Sequence, residues 1–273
     1  MKRMAWVGVF AALLLAAMPA AFAGQEDHMV AMRDGVKLAT TVYTPDGEGP
    51  WPTVVTRSPY NKDSSGRSAA KYTNAGYAFV TQDVRGRFKS EGDYVPFEPD
   101  REDGYDTIKW VHDQPFCDGN IGITGGSALG ITSNLAASMN PPGLKAAYVV
   151  VAPQSSFLES TFIGGAFKES MVAGWMGGQN AGSQVSMLRA RVTMDDGWKR
   201  TDFVHYMDEV RIPMYNVGGW YDIFGKGSVS NFAYLQEKGR RGARGNQKLL
   251  MGPFGHGSLS GDLEYNDGGL MQR

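Results

Sequence analysis

Cysteine is almost missing from this 273-residue chain. Cys117 is the only one, so no intramolecular disulfide can form and the core must hold the fold. Histidine is scarce too. The four His are scattered and none falls in an H-E-x-x-H pattern, which argues against a metal hydrolase. No metal and no cofactor is expected. An excess of charge of either sign is lacking as well: 27 Lys and Arg stand against 28 Asp and Glu, a formal net charge of -1. That supplies no basic face for nucleic acid and no polybasic patch for an anionic membrane. There is no internal repeat and no low-complexity tract, and the length suffices for a large core.

What is present begins with a targeting pattern. Lys2 and Arg3 form a positive head, and an apolar stretch follows from Ala5 to about Met18. Ala21-Phe22-Ala23 then puts small residues where a signal peptidase reads. The expectation is a signal peptide over residues 1–23, cleaved after Ala23, and a secreted or periplasmic protein with no stable membrane anchor. The apolar stretch is short for a membrane span; an uncleaved N-terminal anchor is the alternative. His28 lies beside the cleavage site and is read as mobile.

Strand-like and helix-like segments alternate from there. Runs rich in β-branched and apolar residues at 36–43, 53–56, 78–82, 121–124, 146–152, 213–217 and 248–251 read as strands. Helical spacing marks 64–74, 101–112, 128–139 and 229–237. This order predicts an α/β fold, a mainly parallel doubly wound sheet with helices on both faces. Residues 154–208 break the rhythm. They carry Met, Gly, Phe and Trp with no clear strand, and read as a helical cap insertion over a site. Cys117 falls in Pro115-Phe116-Cys117-Asp118-Gly119 and is read as a turn residue, not a nucleophile. The 36 glycines cluster in pairs such as Gly125-Gly126 and Gly218-Gly219, which suits tight turns and close backbone approach.

Ile121-Gly122-Ile123-Thr124-Gly125-Gly126-Ser127-Ala128-Leu129-Gly130 carries the chemistry. A strand runs into a Gly-rich turn with Ser127 at its tip, and a helix follows, the setting of a nucleophile elbow. The strict G-x-S-x-G spacing fails because Leu129 stands two after Ser127 and the glycine, Gly130, comes one later. A dinucleotide loop is excluded, since its G-x-G-x-x-G needs glycine where Ser127 stands, and no G-x-x-x-x-G-K-S/T is present. A plain turn with an incidental serine stays open on this segment alone.

The partners lie downstream, in the order Ser, acid, His. Met214 to Asp222 reads as a strand, a Gly turn and an acid. Leu249 to His256 reads as a strand and a loop bearing His. Both side chains are expected on the sheet edge that carries Ser127. His256 would then take the Ser127 proton, and Asp222 would hold the imidazole tautomer. His112 ends a helix, where a cation suits the dipole, and His205 sits in the insertion; both read as structural.

Taken together, these residues resemble the cocaine esterase and X-prolyl dipeptidyl aminopeptidase family of serine hydrolases, from about Met32 to Leu263. The resemblance rests on Arg33-Asp34-Gly35, Arg57-Ser58-Pro59-Tyr60, Asp83-Val84-Arg85-Gly86-Arg87, Gly-x-Ser-x-x-Gly at the elbow, Gly-Gly-Trp-Tyr-Asp at the acid and Gly-Pro-Phe-Gly-His-Gly at the base. It implies an α/β-hydrolase fold, with Ser127, Asp222 and His256 as catalytic residues. It also implies an oxyanion hole shared by the Tyr60 hydroxyl and the Ala128 N–H, and Phe224 at the acyl pocket. Asp83, Arg85 and Arg87 are expected to form a salt-bridged turn. The implied substrate is a small ester or amide, or a short peptide, cleaved through an acyl-enzyme; the triad does not choose between them, and the oligomeric state is not indicated. Three departures stand out. Ala128 replaces the aromatic residue that most relatives carry after the nucleophile, and the cap insertion is short. The chain is also expected to lack the family's C-terminal β-sandwich, which leaves a second reading open, a shortened relative kept for a binding or folding role.

Overall fold

The computed structural model describes residues 24–257. The predicted signal segment and the tail after Gly257 lie outside these residues. In chain order the elements are β1 (Gly24–Ala31), β2 (Lys37–Thr44), β3 (Trp51–Ser58), α1 (Lys62–Gly66), α2 (Ala69–Thr73), β4 (Ala78–Asp83) and α3 (Asp100–His112). Then come β5 (Cys117–Gly126), α4 (Ala128–Ser138), β6 (Leu144–Val150), β7 (Phe162–Ile163), β8 (Ala166–Phe167) and α5 (Glu169–Gly178). The series ends with α6 (Val185–Ala190), α7 (Asp196–Thr201), β9 (Met214–Gly219), α8 (Gly225–Lys238) and β10 (Lys248–Gly252).

Eight strands form one sheet in the order β1-β2-β4-β3-β5-β6-β9-β10. The β1–β2 and β2–β4 pairs are antiparallel, and every pair from β4 to β10 is parallel. β3 lies between β4 and β5, so the chain leaves its neighbourhood in opposite directions on either side. Such a switch leaves a crevice outside the carboxyl ends of the strands. Tyr60 follows β3 and Ser127 follows β5, so both stand at that crevice.

The core follows from strand alternation. Val55, Val80, Ile121, Ile123 and Val149 point to one face and pack on Ile108 and Val111 of α3, Ala136 of α4 and Leu235 of α8. Each fully buried aliphatic side chain here contributes about 1.5–3 kcal/mol. α3 carries Asp100, Glu102 and Asp103 in its first turn and Lys109 and His112 in its last, complementing the helix dipole. Gly104 lets α3 approach α4, because a Cβ there would lie 2.5 Å from that of Ala136. The opposite face is covered by α1 and α2 against β2, β3 and β4, where Tyr72 stacks on Phe79 with ring centroids 4.3 Å apart.

Several local expectations are corrected. Residues 64–74 form two short helices rather than one, broken at Arg67-Ser68 just after Gly66, a weak helix former; a side chain at Gly66 would strike the Tyr43 hydroxyl. Cys117 is a buried strand residue, not a turn residue. Its pairing with Trp51 extends β5 four residues upstream through a register shift. His28 lies within β1 opposite Thr40, its ring centroid 5.2 Å from that of Trp110. The insertion holds α5, α6 and α7, but also the hairpin β7–β8, whose tip is Gly164-Gly165 at φ 57° and 86°. Two glycines at positive φ between paired residues are the turn that tight hairpins require. Among the described residues no helix is long and apolar enough to cross a membrane.

Candidate active site

Ser127 is the residue between β5 and α4, with φ 54° and ψ −121°. A non-glycine residue at positive φ is strained, and the surroundings must hold it there. Two bonds do so: its N–H donates to the Val150 carbonyl at 2.9 Å, and its carbonyl accepts from the Ile131 N–H at 2.9 Å. The flanking glycines are dictated by contact. A Cβ at Gly125 would lie 2.3 Å from the Leu129 carbonyl oxygen, and one at Gly130 would lie 2.9 Å from the Ala152 Cβ. The Gly-x-Ser-x-x-Gly spacing is thus the spacing of close approach between β5, α4 and the end of β6. Ala128 opens α4, and the first amides of a helix have no partner within it. They form an anion site beside the serine hydroxyl.

Asp222 lies in the turn between β9 and α8, and its carboxylate is fully buried. One oxygen accepts from the Phe224 N–H at 2.7 Å. The other accepts from His256 Nδ1 at 2.6 Å. With the proton on Nδ1, His256 Nε2 is the acceptor for the Ser127 hydroxyl, 2.7 Å away. The loops bearing the acid and the imidazole are laced together: Trp220 N–H donates to Gly252 and Tyr221 N–H to Phe254, at 2.9 and 3.2 Å. Gly219 has to be glycine, since a Cβ would overlap the Phe254 carbonyl. An imidazole so placed can accept a hydroxyl proton while the carboxylate stabilises the cation that forms.

Ser127 and His256 open into a cavity of about 590 Å³. Ile131, Val172, Trp175, Met176, Leu188 and Trp198 are among its walls, most of them from the insertion. Phe224 lines it too, and packs edge-on against the His256 ring at 5.3 Å and 88°. The expected contact residue therefore also steadies the imidazole. Glu98 is the one carboxylate among the lining residues, and it pairs with Arg200 at 3.1 Å.

Tyr60 presents its hydroxyl to the insertion. Trp175 Nε1 donates to it at 2.7 Å. The residue as a whole is 37 % exposed, yet burial of the phenol pushes its pKa above the usual value, partly offset by the Trp175 bond. Of the expected salt-bridged turn, only Arg85 behaves as such, pairing with Asp103 and Asp34, each at 2.7 Å. Asp83 instead accepts from the Lys62 and Lys89 backbone amides, because it is wholly buried beside the ends of those loops. Arg87 donates to the Pro59 carbonyl at 3.0 Å and to Gln179. His112 is the last residue of α3, its Nδ1 3.4 Å from the Asp113 carboxylate, and His205 lies in a short helical turn of the insertion.

Sequence reasoning missed Trp175 and Lys168. The Lys168 ammonium donates to the Glu159 carbonyl at 3.0 Å and lies 5.5 Å from the Phe224 ring centre. Desolvation pulls its pKa down, and attraction to Asp222 partly offsets this. The usable signal was local: Trp175 and Met176 follow one another in a Gly-rich helix that has little polar surface to offer water.

The sheet order, the strained serine after a central strand and the acid and imidazole on later strand ends define an α/β-hydrolase fold. A sequence profile of the X-Pro dipeptidyl-peptidase S15 family matches residues 34–193 and 181–258, and the chain belongs to that family. It is 29% identical to the cocaine esterase of Rhodococcus sp. over 286 aligned residues, 85% of this chain and 49% of that protein. The chain thus spans about half the length of this curated relative. Among solved structures, a CocE/NonD family hydrolase from Staphylococcus aureus superposes with a TM-score of 0.74 at 25% identity, over 83% of this chain and 45% of the other. An aminopeptidase from a marine sediment archaeon shares the fold at a TM-score of 0.72 and 24% identity, over 91% of this chain and 52% of that one.

Proposed function

We propose that this chain is an exported serine hydrolase that cleaves an ester or amide bond through an acyl-enzyme. Ser127 is the nucleophile, His256 the general base and then the general acid, and Asp222 the group that orients the imidazole. The carrying observation is the continuous hydrogen-bonded series Asp222–His256–Ser127 at 2.6 and 2.7 Å, opening on an apolar cavity.

Attack of Ser127 Oγ on the acyl carbon passes its proton to His256 Nε2. The tetrahedral oxyanion is met by the Ala128 N–H and the Tyr60 hydroxyl. His256 returns the proton to the leaving group, and water then repeats the sequence on the acyl-enzyme. The acyl group occupies the cavity against Phe224. Its aromatic and methionine walls, and the pairing of Glu98 with Arg200, favour an uncharged apolar acyl group over one bearing a free ammonium. Export follows from the pattern at residues 1–23, removed after Ala23.

A fluorophosphonate probe tests the reading on the purified mature protein. Stoichiometric labelling at Ser127, with a loss of about a thousandfold or more in ester turnover for Ser127→Ala, is the expected result. Folded protein that takes up no probe would favour a relative reduced to a binding or folding role.

A further inference from the structure

The cap helix α5 and the loop bearing Tyr60 are joined at two points. Trp175 Nε1 donates to the Tyr60 hydroxyl at 2.7 Å. Four residues on, Gln179 is gripped by Arg87, which also holds the carbonyl of Pro59, the residue before Tyr60. Arg87 is itself buried. Trp175 is fixed in turn by Phe97, whose ring is stacked on it at 5.4 Å and 17°.

This geometry constrains a proton. An indole N–H only donates, whereas a phenol has one proton to give and two lone pairs that accept. Trp175 fills one lone pair and cannot receive the Tyr60 proton, so that proton has to point elsewhere. A bond donated to the phenol oxygen also polarises its O–H and makes it a stronger donor. Trp175 lines the same cavity as Ser127, and in the serine-hydrolase reading the proton's free direction is the oxyanion.

We propose that Trp175 is a positioning residue: its indole N–H orients and polarises the Tyr60 hydroxyl as an oxyanion donor, making the cap part of the oxyanion hole. This rests on the serine-hydrolase reading above. It assigns the cap a part in stabilising the transition state, besides walling the acyl cavity.

The test is a double-mutant cycle on the mature chain with 4-nitrophenyl acetate, whose small acyl group makes little use of the cavity wall. Tyr60→Phe should lower kcat by roughly a hundredfold to a thousandfold, the effect of losing one oxyanion donor. Trp175→Phe keeps an aromatic ring against Phe97 and removes the N–H; it should lower kcat about tenfold, one hydrogen bond's worth, with KM little changed. In the Tyr60→Phe background the Trp175→Phe change should cost nothing further in kcat. Replacing the Trp175 indole by benzothiophene, an isostere without the N–H, should reproduce the tenfold loss and guards against a Phe variant that folds poorly. Losses that multiply in the double variant, or a Trp175→Phe enzyme with unchanged kcat, would overturn the proposal while leaving the hydrolase reading intact. A wild type that neither turns over ester nor takes up fluorophosphonate sinks both.

Discussion

His256 and Asp222 stand 34 residues apart in the chain and share a 2.6 Å hydrogen bond, with the carboxylate fully buried and the imidazole about a third exposed. The carboxylate's second oxygen is occupied by the Phe224 amide, so its plane is fixed from both sides. Asp222→Asn keeps the shape and removes the charge. The amide can present N–H to the imidazole, which then carries its proton on Nε2 and cannot accept from Ser127. The expected outcome is a fall in kcat of about ten-thousandfold with the fold retained, read from ester turnover beside a thermal melt. A variant within tenfold of wild type would refute the role given to Asp222.

Gly125 and Gly122 lie on the same strand and make a matched pair. An alanine Cβ at Gly125 would meet the backbone of Leu129 at 2.3 Å, and backbone cannot move aside cheaply. At Gly122 the nearest atom would be 3.9 Å away. Gly125→Ala should cost about 1–3 kcal/mol or more in stability and distort the Ser127 turn. Gly122→Ala should be near neutral. Chemical denaturation of the two variants side by side decides it; equal losses would show that the elbow is not set by this contact.

Much of this site was legible because its parts come at strand ends. Ser127, Asp222 and His256 each stand just past an apolar run, and parallel strands deliver the residues at their carboxyl ends to one rim. The elbow spacing was legible as a pattern, but its cause, the contact of Gly125 with Leu129, needed coordinates. The insertion was less readable. Residues 154–208 form short helices and a six-residue hairpin, which leave little periodic signal. The Trp175–Tyr60 bond joins residues 115 apart and has no local signature at all. Cys117 was misread because its strand is extended by pairing with Trp51, a tertiary effect.

Arg57 illustrates the same limit, since its charge hides in a strand. It is fully buried on β3, donating to Gln82 at 2.8 Å and pairing with Asp100 at 2.8 Å. Burial pushes the Asp100 carboxyl up, opposed by the adjacent Arg57 charge. Removing one partner leaves the other charge uncompensated. Arg57→Met should destabilise the protein by roughly 3–5 kcal/mol. Adding Asp100→Asn should restore part of that loss, because the two changes share one interaction. Strictly additive losses in urea denaturation would contradict the pairing.

Asp202 should make stability depend on pH in a direction opposite to most acids. Its carboxylate is fully buried and held by the Ser155 hydroxyl at 2.8 Å and the Ser156 amide at 3.1 Å. Desolvation outweighs these bonds and pushes its pKa from the ordinary 3.8 up to about 6. Between those values the folded protein holds a proton that the unfolded chain has released. Stability from this group is therefore fully present below pH 3.8 and is lost as pH rises through 6. The loss is roughly 3 kcal/mol at most. Asp202→Asn cannot ionise, yet its carbonyl can still accept from Ser155 or Ser156. Other carboxylates titrate in the same range, so the quantity to read is the difference in unfolding free energy between the variant and wild type. It should grow in the variant's favour from pH 4 to pH 7, where the Asn protein is the more stable. Parallel curves over that range would mean that Asp202 is ionised in the folded state throughout, and that Ser155 and Ser156 satisfy the charge beside the wall of the cavity that Ser127 faces.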